Sequence, residues 1–197
     1  MSIFKKVKPG ELNATVSHPQ YTVLLVDDEP DNLNVLRSIL GSRYNILQAI
    51  DGQEALDLVR SMPNPEQLTL VVSDQRMPRL TGVQLCEQLC TLLPDTMRII
   101  VTGYIDIDAI VDSVNRARIY KFVIKPFDRH DFELTVQRAI EAYEMKRQFD
   151  AYVRSLKDKV EESAATIALR EQELKLAYAE LERLGVTLPL SAKPSED

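Results

Sequence analysis

Leu68-Thr69-Leu70-Val71-Val72-Ser73-Asp74 is a nearly continuous apolar run that ends on a carboxylate. Its reading decides the fold. A strand covered on both faces meets no water, so it lacks the polar alternation of a half-exposed strand; this run has that character. Pro78 and Gly82 mark the turn after it, and a helical pattern follows from Thr81 to Leu93, with Thr81 placed as an N-cap.

The same unit recurs on either side. Val23–Val26 reads as a buried strand that ends at Asp27, Asp28, Glu29 and Pro30, and a helix follows from about Asn32 to Leu40, stopped by Gly41. Tyr44–Ile50 reads as a strand and Gly52–Ser61 as a helix. Arg98–Val101 is a strand ending at Thr102, with a helix over Asp106–Arg116. Ile119–Ile124 is the fifth strand, closed by Lys125 and Pro126. Five strand-helix alternations predict an α/β fold: a doubly wound, five-stranded parallel sheet of flavodoxin-like order 2-1-3-4-5. Ligands of such folds bind at the carboxyl ends of the strands. Asp27 and Asp28, Asp74, Thr102 and Lys125 all fall there.

The last helix is expected to start near Asp128 as its N-cap, and meets no breaker until Gly185. Val153, Val160, Ile167, Leu174 and Leu181 repeat every seven residues. A second series, Phe149, Leu156, Ser163, Arg170, Ala177 and Leu184, runs beside it. This heptad pattern predicts a coiled coil rather than a lone amphipathic helix folded back on the domain, since its length exceeds what one small domain can cover; β-branched a residues with Leu156 at d favour a parallel dimer. The apolar seam residues are Phe149, Val153, Leu156, Val160, Ile167, Leu174, Leu181 and Leu184. Ser163 and Arg170 weaken its middle, which would either make the seam adjustable or merely limit its stability. The predicted organisation is a polar lead-in over 1–20, a domain over 21–145, a coiled-coil helix over 146–184 and a polar tail over 185–197.

The chain has 197 residues, 45% of them apolar and 27% charged, as in soluble globular proteins. Its apolar runs are too short to cross a bilayer, and residues 1–20 lack the apolar core of a secretory signal. A net charge of -6 argues against nucleic acid held through bulk charge. Cys86 and Cys90 sit four apart on one helix, and His18 and His130 are distant in sequence, so the cysteines read as core residues rather than zinc ligands. A cytoplasmic location is expected.

The strand ends carry the chemistry. Asp27, Asp28 and Asp74 would repel one another unless a cation sat among them, and hard oxygen ligands suit Mg²⁺. A carboxylate is a competent nucleophile for an aspartyl phosphate. Phosphoryl transfer needs in-line positioning and neutralised charge on the equatorial oxygens. Lys125 and the cation supply that neutralisation, and Thr102 can donate a hydrogen bond. There is no Gly-rich phosphate loop, so a nucleotide is not the obvious donor.

Four segments carry a resemblance: Leu24-Leu25-Val26-Asp27-Asp28-Glu29, Ser73-Asp74-Gln75-Arg76-Met77-Pro78, Val101-Thr102-Gly103-Tyr104 and Phe122-Val123-Ile124-Lys125-Pro126-Phe127. In order and spacing they resemble the signatures of the response-regulator receiver family. The resemblance implies that Asp74 accepts a phosphoryl group from a phosphohistidine on a sensor histidine kinase or phosphotransfer protein. It implies that Asp28 binds Mg²⁺ directly, Asp27 mostly through water and Arg76 through its backbone carbonyl. Thr102 would swing towards the phosphate, and Lys125 would pair with it beside a cis bond to Pro126. Phe122 stands at the aromatic switch position, where many receivers have tyrosine, so the switch would act by packing alone. Arg76 and Tyr104 would flank the approach of hydrolytic water and modulate dephosphorylation. The motif style is that of receivers preceding HD-GYP phosphodiesterases and diguanylate cyclases. Two outputs are therefore expected: a signalling adaptor working through its coiled coil on a partner protein, slightly favoured by the polar tail, or the input half of a larger cyclic-di-GMP enzyme.

Overall fold

The computed structural model describes residues 21–103 and 116–185. The chain divides into two compact units, Met1–Lys146 and Arg147–Asp197.

In the first unit, β1 (Thr22–Val26), β2 (Asn45–Ala49), β3 (Leu68–Asp74), β4 (Met97–Thr102) and β5 (Lys121–Ile124) form one sheet in the order β2-β1-β3-β4-β5. All its pairings are parallel, as the alternation of strand and helix requires. β1 is buried along its whole length, and so is β3 up to Asp74. Their side chains divide between two cores. Val23, Leu25, Leu70 and Val72 face the layer of α1 (Pro30–Leu40) and the start of the C-terminal helix (Arg129–Arg183). Leu24, Val26, Leu68 and Val71 face α2 (Gly52–Ser61) and α3 (Gly82–Leu92).

Local chemistry sets the helix starts. α1 begins at Pro30, two residues before the sequence-based start, because proline suits the first helical turn, where its missing N–H has no partner to lose. Asp51 caps α2, accepting from Gln53 N and Glu54 N at 2.8 and 3.0 Å. Thr81 and Gln84 form a reciprocal capping box on α3, as the sequence predicts for Thr81. Asp128 Oδ1 accepts from His130 N at 2.7 Å and Asp131 N at 3.2 Å, capping the C-terminal helix. β5 is shorter than predicted: Ile119 and Tyr120 precede it, and Tyr120 N donates to Arg98 O at 2.8 Å. The helix expected over Asp106–Arg116 lies outside the described residues, apart from Arg116.

In the second unit the C-terminal helix runs to Arg183, and Gly185 follows at φ 75°. Phe149, Leu156, Val160, Ile167, Leu174 and Leu184 are exposed on it. Val153 and Leu181 are half-buried. No helix among the described residues is long and apolar enough to cross a membrane.

Candidate functional site

The carboxyl ends of β1, β3, β4 and β5 bring Asp27, Asp74, Thr102 and Lys125 to one edge of the sheet. Register explains the meeting. Val26 pairs with Ser73, Asp74 with Val101, and Thr102 with Ile124, so the residues that end these strands stand side by side.

Lys125 is the hub. Its Nζ donates to Asp74 Oδ1 at 2.7 Å and to Asp27 Oδ2 at 3.1 Å. Asp27 is buried, with 2% of its side chain exposed, and Asp74 is 11% exposed. Partial burial pulls the Lys125 pKa down, but hydrogen bonds and charge from Asp74 and Asp27 outweigh it and hold the ammonium above its ordinary value. Lys125 N also donates to Thr102 O at 2.8 Å, which ties β5 to β4, and the bond between Lys125 and Pro126 is cis.

Backbone donors orient both carboxylates. Asp27 Oδ1 accepts from Glu29 N and from Asn32 Nδ2, each at 3.0 Å. Asp74 Oδ2 accepts from Arg76 N at 2.5 Å. One oxygen of each carboxylate is thus held by its own chain segment while the other meets the ammonium. Asp28 is exposed at the rim, and Thr102 is buried at the end of β4. Asp28, Glu29, Asn32, Arg76, Thr102 and Gly103 complete the lining of a cleft of about 180 Å³. That is room for several molecules of water size, or for a phosphoryl group with some of them.

The donor set can be tested against Mg²⁺. Asp27 and Asp74 lie within reach of a single cationic atom, since Nζ contacts both. Among the described residues, no three His, Cys, Asp or Glu side chains stand close enough to hold a metal by themselves. Two carboxylates beside open water suit a hydrated hard cation, which keeps several waters; they do not suit zinc, which demands a nearly complete protein shell. The residues fit magnesium.

The sequence-predicted residues divide clearly. Asp27, Asp28, Asp74, Arg76, Thr102 and Lys125 all line the cleft. Phe122 does not; it packs, half-buried, against Val83, Cys86, Ile100, Ala117 and Ile119 beneath β4. Tyr104 lies outside the described residues. Cys86 is buried and Cys90 half-buried on α3, matching their reading as core residues.

Sequence reasoning missed the supports. Gly82 lets α3 start against the backbone of Asp74: a Cβ there would stand 2.2 Å from the Asp74 carbonyl oxygen. Gln75 fastens the next residue, since its N donates to Val101 O at 3.0 Å and its Oε1 accepts from Val83 N at 3.1 Å. Asp51, besides capping α2, accepts from Arg79 Nη2. Asn32 and the glycine after a capping threonine were visible as residues, but only the folded contacts give them a role.

Known proteins carry the same pattern. Residues 23–137 match the model of the response regulator receiver domain family. The chain is 35% identical over 127 residues to the hydrogenase transcriptional regulatory protein HoxA of Cupriavidus necator, a match covering 64% of this chain and 26% of that protein. It is 29% identical over 127 residues to the regulatory protein AtoC of Escherichia coli, with the same two coverages. The chain therefore spans about a quarter of the length of these relatives. Among solved structures, the signal receiver domain of an HD domain-containing protein from Pseudomonas fluorescens superposes with a TM-score of 0.59 at 29% identity, covering 64% of this chain and 98% of that one. A receiver domain protein of Methanospirillum hungatei superposes with the same score at 25% identity and the same coverages.

Proposed function

The chain belongs to the response regulator receiver domain family, and on that premise we propose that Asp74 is its phosphoacceptor. One observation carries the reading: a single ammonium, Lys125 Nζ, joins Asp74 and the buried Asp27 at the floor of an open cleft. In the reaction an Asp74 oxygen forms a bond to phosphorus while the bond from phosphorus to the donor's imidazole nitrogen breaks. The leaving imidazole keeps the electron pair. The donor is a phosphohistidine on a sensor histidine kinase or a phosphotransfer protein.

Lys125 balances the charge that three phosphoryl oxygens bring beside two carboxylates. Thr102, at the end of β4, donates to one of those oxygens. Arg76 holds Asp74 through its N–H, and its side chain at the cleft mouth, together with Tyr104, governs the entry of hydrolytic water. Asp27, Asp28, Asp74 and the Arg76 carbonyl would hold Mg²⁺. When bound, the ion supplies positive charge and a template for the incoming oxygens. Movement of Thr102 passes to Phe122 by repacking, since a phenylalanine has no hydroxyl to anchor either state.

The output runs through the C-terminal helix, whose exposed heptad stripe pairs with that of a second copy and presents the pair to an effector protein. A second reading is favoured by the likeness to the receiver domain of the HD domain-containing protein. There the chain is the input half of a larger cyclic-di-GMP enzyme, a diguanylate cyclase or HD-GYP phosphodiesterase. The length of the natural reading frame separates the two. The phosphoacceptor is tested by treating the protein with a small acyl phosphate and then with hydroxylamine, which cleaves acyl phosphates. A hydroxylamine-labile phosphate should form on wild type and not on Asp74→Asn; a stable phosphate, or an unaffected variant, would refute the assignment.

A further inference from the structure

The stripe on the C-terminal helix carries polar and charged residues that choose a direction for its partner. This inference rests on the dimer reading above. With Val153, Val160, Ile167, Leu174 and Leu181 at a and Leu156, Ser163, Arg170 and Ala177 at d, the flanking positions hold Lys157 and Glu171 at e and Lys159 and Glu173 at g. Lys157, Lys159, Glu171 and Glu173 are exposed, and none of them makes an ion pair among the described residues. Their charges are free to meet a second helix.

Consider two helices running the same way. Each layer then pairs a residue with its own copy, so Arg170 faces Arg170 in the seam. Like charges so opposed are destabilising, and each guanidinium also loses water. The g residues of one heptad face the e residues of the next. Lys159 meets Ala164, Thr166 meets Glu171, and Glu173 meets Tyr178. No pair of opposite charge forms.

The opposite direction changes every contact. Layers then pair a with d, and e faces e while g faces g. Ala165 is the midpoint of the segment Arg147–Arg183, so full overlap centres the pair there. In that register Leu156 stacks on Leu174, Phe149 on Leu181 and Val153 on Ala177. Arg170 meets Val160, and the two Arg170 side chains lie about 15 Å apart along the axis, beyond the screening length at physiological salt. Lys157 faces Glu171 and Lys159 faces Glu173, and the two-fold axis repeats both pairs. Ser163 meets Ile167 at little cost, because its Oγ already donates to Lys159 O at 2.8 Å. Sliding the pair by one heptad one way sets Asp150 against Glu171. Sliding it the other way leaves Lys159 against Glu180 as the one opposite-charge pair at e and g.

We propose that two copies of this chain pair through residues 147–183 as an antiparallel coiled coil centred on Ala165. This departs from the parallel dimer that the a and d residues alone suggest. The stripe decides that two helices join; Arg170 and the four flanking charges decide how.

Cysteine crosslinking of the full chain tests it, in a Cys90→Ser background. Cys86 stays out of the reaction, being fully buried with its thiol pushed up to about 12 by that burial. Leu156→Cys alone and Leu174→Cys alone should each give no crosslinked dimer, while a mixture of the two should. Crosslinking of each variant with itself would overturn the antiparallel arrangement and leave the dimer standing. A dimer by sedimentation that crosslinks in no arm would overturn the register, and a monomer would overturn the dimer reading as well. Lys157→Glu with Lys159→Glu should weaken the dimer about tenfold, as expected when four weak ion pairs become repulsions. Adding Glu171→Lys and Glu173→Lys should restore it. A dimer indifferent to both sets would count against the proposal.

Discussion

Replacing Gly82 by alanine tests whether the start of α3 sets the position of Asp74. At an ordinary site in a helix, alanine is more stable than glycine by up to about 1 kcal/mol. Here the new Cβ would stand 2.2 Å from the Asp74 carbonyl oxygen, 3.0 Å from its carbonyl carbon and 3.1 Å from Ile100 Cδ1. A carbon beside a carbonyl oxygen needs about 3.3 Å, so the two backbones must part by about 1 Å. Ile100 has no slack to give, being fully buried. Overpacking of this kind costs about 1–3 kcal/mol, which reverses the usual sign of the substitution. The same shift displaces Asp74 from Lys125 Nζ, now 2.7 Å away. A misplacement of about 1 Å at reacting groups costs on the order of 10²-fold in rate. Guanidinium unfolding and the initial rate of phosphorylation by a small acyl phosphate measure the two effects on one preparation. Gly103→Ala serves as the control for stability, because among the described residues its Cβ would meet nothing within 4 Å. A Gly82→Ala protein as stable as wild type and phosphorylated as fast would refute the reasoning.

Other outcomes follow from the supports around the site. Asp51→Ala removes the cap from Gln53 N and Glu54 N and the acceptor of Arg79; chemical denaturation should show a loss of about 1–2 kcal/mol. Arg98 is buried and its guanidinium donates to Leu93 O at 3.0 Å and Pro94 O at 3.3 Å. Arg98→Met should cost about 1–3 kcal/mol by the same assay, since both carbonyls lose their donor, and a neutral result would show that other partners satisfy them. The Lys125 pKa is raised on folding, so its stabilising contribution is full below its ordinary value of about 10.5 and fades as pH rises through the folded value. The stability gap between wild type and Lys125→Met should therefore contain no Lys125 titration near neutrality and close only in strong alkali. A gap that lysine deprotonation closes near neutral pH would contradict the ion-pair geometry.

The fold was legible because the two central strands carry their burial openly. Val23–Val26 and Leu68–Ser73 are apolar without alternation, which a parallel sheet covered on both faces demands and few other settings allow. Edges were less legible: β5 starts two residues later than its apolar run because Ile119 and Tyr120 lead into the strand. The charged members of the site could be found because each ends a strand, and the sheet order brings those ends together. Its supports could not. Gly82 looks like any turn glycine until the Asp74 carbonyl is set beside it, and Asn32 looks like a solvated helix residue until it donates to Asp27. Phe122 could be placed on β5 by pattern, but its neighbours on α3 and β4 come from packing that no local pattern encodes.

Intact mass measurement after treatment with a small acyl phosphate tests the phosphoacceptor most directly. Wild type with Mg²⁺ should gain the mass of one phosphoryl group, and chelation of the metal should suppress the gain. Asp74→Asn should gain nothing under either condition, although Asp27 and Asp28 remain. A phosphoryl group that persists on Asp74→Asn, or a wild-type protein that never takes one up, would contradict the account.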